Sequence, residues 1–215
     1  MDVALKNLKF LKVGCFAHTL NLSAQKVYSI SAITNWCARL RAIGVWLKRS
    51  SMAKTVLREK QQLLNLPEHN MILDVRTRWN SLFLMVERFL EQYPAIQAAS
   101  LDQRLRKPME KLERLTDDDF QKAEDFVKIM KLLYTSTLCV SSEKSPTCGQ
   151  ILPILTKLKA HFTVAEEDTL FTSALKEKVW GDLEKQYQDE DIQNFLQEAT
   201  LNGPSLQRQT WMCCC

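Results

Sequence analysis

Turn-forming residues are scarce in this chain: 215 residues carry only 5 glycines and 6 prolines. Sandwiches, barrels and glycine-looped nucleotide folds need such residues more often, so the shortage favours long helices joined by few tight turns. Uninterrupted apolar runs long enough to cross a bilayer are also missing, which excludes a membrane-spanning helix and leaves no membrane partner to expect. The opening stretch MDVALKNLKFLKVG scatters lysines among its apolar residues and lacks the apolar centre of a secretory signal. No cysteine framework is legible either. Cys15, Cys37, Cys139, Cys148, Cys213, Cys214 and Cys215 are odd in number and irregularly spaced, which reads as free thiols in a reducing compartment. A prenylation signal would need a cysteine fourth from the end, where Met212 stands.

What is present is an uneven charge. The net +4 hides a basic first third: residues 1–60 hold 11 Lys/Arg against 2 acids, whereas residues 116–215 hold 10 against 16. Such asymmetry suggests a polyanionic partner for the N-terminal third, nucleic acid being the usual one. The alternative is a solvated basic face packed near acids from the C-terminal third.

Apolar periodicity is mainly helical. Ile33, Trp36, Cys37, Leu40, Ile43 and Leu47 recur at spacings of three or four and form one stripe. A helix is expected before it over Thr19–Tyr28, and another after the Ser50–Ser51 break, from Met52 to Leu64, ended by Pro67. Thr77 or Asn80 is expected to cap a helix with Leu82, Met85, Val86, Phe89, Leu90 and Tyr93 inward, interrupted at Pro94. Residues 100–116 read as a loop. Thr116 followed by three aspartates marks a strong helix start. After a turn at Ser141–Pro146, Ile151, Leu155, Leu158 and Phe162 mark a further helix. Glu166–Asp168 are expected to open the next, with Leu170, Phe171, Ala174, Leu175, Val179, Leu183 and Tyr187 inward, before a short last segment over Ile192–Leu196. Lys9–Gly14 and Met71–Val75 could be short strands. The reading is a mainly α fold with seven or so helices and at most two strands.

Two constellations carry chemistry. Cys15 and His18 form a Cys-x-x-His pair, but a zinc site needs a second pair, and His69 and His161 stand alone. A Cys/His nucleophile would need an orienting group and an oxyanion hole, neither legible. The plain alternative buries Cys15 at a strand-to-helix junction and leaves His18 to satisfy backbone groups or reach a phosphate. The second constellation is Asp74-Val-Arg76-Thr-Arg78-Trp79-Asn80-Ser81. Arginines at a helix start suit phosphate oxygens, and an exposed tryptophan can stack on an unstacked base. Equally, Trp79 could be core, with Arg76 or Arg78 pairing with Asp74.

Taken together, Gly14-Cys-Phe-Ala-His-Thr-Leu-Asn-Leu22 and Thr77-Arg-Trp-Asn-Ser81, followed by Met85 and Arg88, resemble the hAT superfamily of DNA transposases, and more closely its domesticated BED-zinc-finger members. Ser145-Pro-Thr-Cys-Gly-Gln-Ile-Leu-Pro153 is similar to their segment after the long acidic helix, and the likeness runs from about Asn7 to Leu201. The resemblance implies a ribonuclease-H-like fold split by a large helical insertion. Residues 1–80 would be the end of the ribonuclease-H-like core and the start of the insertion, 81–201 the helical insertion, and 202–215 an unrelated, disordered tail. The family's active site is two aspartates and a glutamate holding divalent metal. None of the three matches a residue here: Asp2 does not fit the motif expected before the Cys-x-x-His segment. The aspartates 117–119 and the acids 166–168 and 189–191 read as caps and solvated turns.

The expectation is therefore a catalytically dead piece of a nuclear, transposase-derived protein that binds DNA or chromatin proteins and regulates transcription. Mg²⁺ and zinc are expected only in intact relatives, and the family's dimerisation region is not matched. Candidate DNA contacts are His18, Lys48, Arg49, Lys54, Arg58, Lys60, Arg76, Arg78, Trp79 and Asn80, and by resemblance Arg78 and Trp79 face transposon-end DNA. The other readings are a part of a BED-finger SUMO-ligase-like protein acting through protein contacts, or a truncated product without function.

Overall fold

Serine at position 50 divides two helices that the apolar pattern would allow to run together. Its hydroxyl accepts a hydrogen bond from Ala53 N (3.1 Å), satisfying one of the donors a helix start leaves open. In this computed structural model, which describes residues 13–105, 115–141 and 148–202, the described residues form eight α-helices: α1 (Phe16–Gln25), α2 (Ser31–Arg49), α3 (Ser51–Leu63), α4 (Trp79–Ser100), α5 (Asp117–Val140), α6 (Cys148–Phe162), α7 (Leu170–Gln186) and α8 (Glu190–Asn202). A single 3₁₀ turn, Lys26–Ser29, links α1 to α2. The mainly α reading holds, and no helix among the described residues is long and apolar enough to cross a membrane.

The stripe on α2 is the centre of the core. Ile33, Trp36, Cys37, Leu40, Ile43 and Leu47 are all buried. Trp36 sits between Phe126 of α5 and Phe171 of α7, with ring centroids 5.7 and 5.6 Å away. Its indole N–H donates to the Asp119 carbonyl (3.1 Å), so this buried ring leaves no orphaned donor. Asp119 in turn closes a capping box with Thr116 and takes an ion pair from Arg39. Burial would raise the Asp119 carboxyl, but hydrogen bonds from Arg39 and the Thr116 backbone outweigh it and hold it below its ordinary value. The cap expected at Thr116 thus also fixes where α5 meets α2.

Several local expectations need correcting. Met71–Val75 is not a strand; the described residues contain no strand, only an isolated bridge between Val75 and Arg78. The carbonyls just before this segment are taken by side chains from the neighbouring helices: Gln92 bonds Pro67 O (3.1 Å), Gln61 bonds His69 O (2.9 Å) and Arg88 bonds Asn70 O (3.1 Å); within it, Val75 O accepts from Arg78 N (2.8 Å) and Ser81 Oγ (3.1 Å). With those acceptors met and Met71 buried, the segment lies extended across helices and needs no sheet. Gly44 on α2 gives it room: a Cβ there would stand 3.0 Å from Leu73 Cδ2. Pro67 does not end α3 by itself. Asn65 adopts φ 52°, and the N–H groups of Leu66 and Asn65 bond the carbonyls of Gln61 (2.9 Å) and Gln62 (3.1 Å), a Schellman stop two residues earlier.

Pro94 does not interrupt α4, which runs on to Ser100. Pro94 is exposed while Tyr93 and Ala95 are buried, so the hydrogen bond it forfeits lies on the solvent face. Neither Thr77 nor Asn80 caps α4; the N-cap is Arg78 and has no side-chain bond. Glu166–Asp168 form a turn rather than a helix start. Thr169 is the cap, and Leu170, expected inward, is 93% exposed. The first expected strand falls mostly on residues 9–12, which lie outside the described residues, as do most of the 100–116 loop, most of the Ser141–Pro146 turn and the tail from 203.

Candidate nucleic-acid interface

The two sequence constellations, some sixty residues apart, meet in space. His18, Asn21 and Gln25 share one face of α1, at spacings of three and four. Asn21 Oδ1 accepts from Trp79 N (3.3 Å) and Gln25 Nε2 donates to Thr77 O (2.9 Å). The backbone of the Arg-Trp motif is therefore mounted on the Cys-x-x-His helix. Ser81 finishes the turn: its hydroxyl accepts from Val75 N (2.6 Å) and donates to Arg78 O (2.6 Å). His18, Arg76 and Arg78 are exposed around this junction.

Trp79 is not on that surface. It is 1% exposed and packs edge-on against Phe83 and Tyr134, with ring centroids 6.4 and 6.3 Å away. The stacking contact expected of it is not presented in this structure, because the first turn of α4 points its apolar face at α5. Neither Trp79 Nε1 nor Asn80 Oδ1 has a hydrogen-bond partner among the described residues. Neither Arg76 nor Arg78 pairs with Asp74. That carboxylate is gripped from α2 by Arg41, whose Nε and Nη2 each lie 2.6 Å from it, and by the Tyr28 hydroxyl at 3.0 Å. Burial would raise Asp74, but these bonds and the guanidinium charge hold its carboxyl below the usual range. Burial pushes the neighbouring Cys37 thiol up to about 12, so that thiol is inert packing.

The basic third divides into neutralised and open cations. Lys26 meets Asp182 (3.2 Å), Arg58 meets Glu68 (3.0 Å) and Lys60 meets Asp102 (3.3 Å). With Arg39 and Arg41 also paired, much of the excess charge is balanced inside the fold. Lys48, Arg49 and Lys54 are different: they are exposed at the α2–α3 junction and have no acid partner among the described residues. Lys48 and Lys54 border an open cleft of about 600 Å³ between the end of α2, one face of α3 and the 66–71 segment. Gln62, His69 and Asn70 line the same cleft, and the sequence pattern had not marked them. Their signal was weak: Gln62 is an ordinary polar residue of α3, and His69 and Asn70 are loop residues held beside it by side chains from α3 and α4.

Cys15 is half-buried ahead of α1, its carbonyl accepting from Thr19 N (3.0 Å), and no second ligand pair lies near it. Among the described residues no group of three or more His, Cys, Asp or Glu could hold a metal ion.

Comparison with known proteins places this architecture. Residues 13–130 match the family model described as the ZBED1 RNase-like helical domain. Zinc finger BED domain-containing protein 4 of Homo sapiens is 29% identical over 159 residues, which cover 74% of this chain and 13% of that protein. Zinc finger BED domain-containing protein RICESLEEPER 3 of Oryza sativa subsp. japonica is 26% identical over 193 residues, 84% of this chain and 24% of that protein. A Talaromyces stipitatus protein named "Putative transcriptional regulator tpeD" is 27% identical over 148 residues, 67% of this chain and 16% of its own length. The chain thus spans a quarter or less of these relatives. No solved structure matches it.

Proposed function

Because this chain belongs to the ZBED1 RNase-like helical domain family, as a domesticated hAT-derived, BED-finger type of sequence, we propose that it serves as a non-catalytic DNA-contacting element of a nuclear regulator. The observation that carries this reading is the open cation group Lys48, Arg49 and Lys54 at the α2–α3 junction, left without acids while neighbouring cations are paired. Lysines and arginines held on one rigid face neutralise phosphates, release counterions and give sequence-tolerant affinity. Arg76 and Arg78, with His18 beside them, form a second exposed basic group at the α1–α4 junction. Absence of catalysis is part of the proposal. The half-buried carboxylates have structural duties: Asp74 with Arg41, Asp119 with Arg39, Asp168 with Lys176 (2.7 Å) and Asp182 with Ser23 (2.9 Å). Carboxylates so engaged are not free to converge on a divalent cation. The reading accordingly assigns no metal cofactor to this chain and names DNA, with chromatin proteins beside it, as the partner.

Binding of the full chain to duplex DNA, followed by fluorescence anisotropy across a salt series, tests this. Lys48→Ala combined with Arg49→Ala should weaken binding to every duplex and flatten the log–log salt dependence by about 0.9 per lost phosphate contact. Tight binding whose salt slope is untouched by the double substitution would remove this face from the interface. No salt-dependent binding at low ionic strength would remove the DNA reading.

A further inference from the structure

The cleft beside the open lysines is built for more than phosphate. A surface that only neutralises a backbone needs cations. This cleft has in addition an apolar floor of Leu47, Leu57 and Met71, which are 2, 6 and 4% exposed. The amide group of Gln62, two turns along α3 from Lys54, and the Asn70 amide and His69 imidazole of the following segment line it as well. The segment bearing His69 and Asn70 is held in place. The Pro67, His69 and Asn70 carbonyls are bonded by Gln92, Gln61 and Arg88, and His69 Nδ1 lies 3.0 Å from the Glu91 carboxylate, which Arg88 also meets at 2.8 Å. The two acids of the lining are already engaged: Glu59 by Arg104, and Glu68 by Arg58 and Gln62. Lys48 and Lys54 are left to face an anion. Lys54 moreover sits in the first turn of α3, at the positive end of the helix dipole, where a cation is unfavourable until an anion joins it.

An apolar floor, a fixed segment bearing hydrogen-bonding groups and a pair of open cations match a planar heterocycle with polar edges and an attached phosphate. The volume, about 600 Å³, falls in the range of small-ligand clefts, roughly 300–1,000 Å³. We propose that this cleft takes one unstacked nucleotide of a DNA strand, with its phosphate against Lys48 and Lys54 and its base over Leu57 and Met71. The inference deepens the DNA-contact reading of the same face and rests on it. It also gives an unpaired base a seat that buried Trp79 does not offer.

The test uses the full chain and three small probes followed by amide NMR shifts: deoxyadenosine monophosphate, inorganic phosphate and phosphoserine. The nucleotide should move the amides of Gln62, His69 and Asn70 as well as those near Lys48 and Lys54, and phosphate alone should move only the latter. Asn70→Glu, an exposed position whose backbone bond to Arg88 survives the change, should weaken the nucleotide about fivefold, the size of one like-charge contact near a surface. Gln97→Glu, exposed on α4 away from the cleft, carries the same charge change and should leave it unaltered. A DNA hairpin with one unpaired adenine should bind tighter than the fully paired hairpin, and Asn70→Glu should erase that margin. Identical shifts from phosphate and nucleotide, shifts gathered elsewhere, or an equal response to phosphoserine would overturn the inference. If the paired hairpin still binds with its salt slope, the DNA reading stands without the cleft. Nucleotide binding without any DNA binding would overturn both.

Discussion

Trp79 shows how one side chain can be read two ways from sequence and only one way in the fold. Its neighbours Arg76, Arg78 and Asn80 are polar, so the string alone allows an exposed ring; burial at 1% against Phe83 and Tyr134 decides for the core. Trp79→Ala should therefore cost about 3–5 kcal/mol in urea unfolding. Trp79→Phe should cost much less, because it keeps an apolar ring and removes an indole N–H that has no partner among the described residues. Equal penalties for the two would contradict this packing. Asp74 gives a second residue-scale expectation, in pH. Its folded carboxyl is held below the ordinary value by Arg41 and Tyr28, so between that value and the folded one the unfolded chain binds the extra proton. The stabilisation is complete above about pH 4 and is lost as pH falls through the folded value. Asp74→Asn should cost about 3 kcal/mol at pH 7 by stranding Arg41, and should lose less stability than the parent between pH 4 and 2. Denaturant melts at the two pH extremes measure both differences. The charge distribution marked the basic third but could not separate the open Lys48, Arg49 and Lys54 from Arg58 and Lys60, which are paired, and Arg41 as the partner of Asp74 was not readable, since nothing local distinguishes it from Arg76 or Arg78.

At the scale of elements, two glycines in helices behave oppositely. A Cβ on Gly149 would lie 2.8 Å from the Ala199 carbonyl oxygen, where α6 crosses α8, while a Cβ on Gly181 of α7 meets nothing within 4 Å. Gly181→Ala should stabilise by up to about 1 kcal/mol through helix propensity. Gly149→Ala should destabilise by about 1–3 kcal/mol as the helices are forced apart. Thermal melting that shifts both variants in the same direction would count against the α6–α8 contact. The same contact explains why α8 was underestimated from sequence. Its pattern over Ile192–Leu196 looked short, yet Ala199 and Thr200 extend its packed face along α6. Stripes such as that of α2 were legible because burial on one side imposes a helical period. The Met71–Val75 segment was not, because a short apolar run fits a strand and an extended crossing equally well, and only the side chains of Gln61, Arg88 and Gln92 settle which it is.

For the whole molecule, the charge asymmetry of the chain is only partly an asymmetry of the surface. Lys26 and Arg39 of the basic third meet Asp182 and Asp119 of the acidic third, so sequence-level net charge overstates the field an approaching polyanion meets. What remains is local, at the α2–α3 and α1–α4 junctions. The proposed interface is accordingly a pair of basic patches, and its salt dependence should be that of a few contacts rather than of eleven cations.

The docking of α1 has a consequence for the order in which the chain can be completed. Phe16 packs edge-on against Tyr187, with centroids 5.8 Å apart, and Ser23 and Lys26 both reach Asp182. The side of α1 that meets α7 is therefore covered only by residues made more than 150 positions later, although α4 and α5 also pack against this helix. The family match over residues 13–130 ends short of that partner. A chain stopped after Met130 should accordingly bind a hydrophobic dye and unfold without a cooperative transition, whereas one carried to Asn202 should melt as a single unit; a sharp melt for the shorter chain, read by circular dichroism, would show that α1 finds cover earlier. Until Tyr187 is made, the Phe16 edge of α1 lies open to chaperones and proteases, so a stop between positions 130 and 187 is expected to be felt first as rapid turnover of the nascent product.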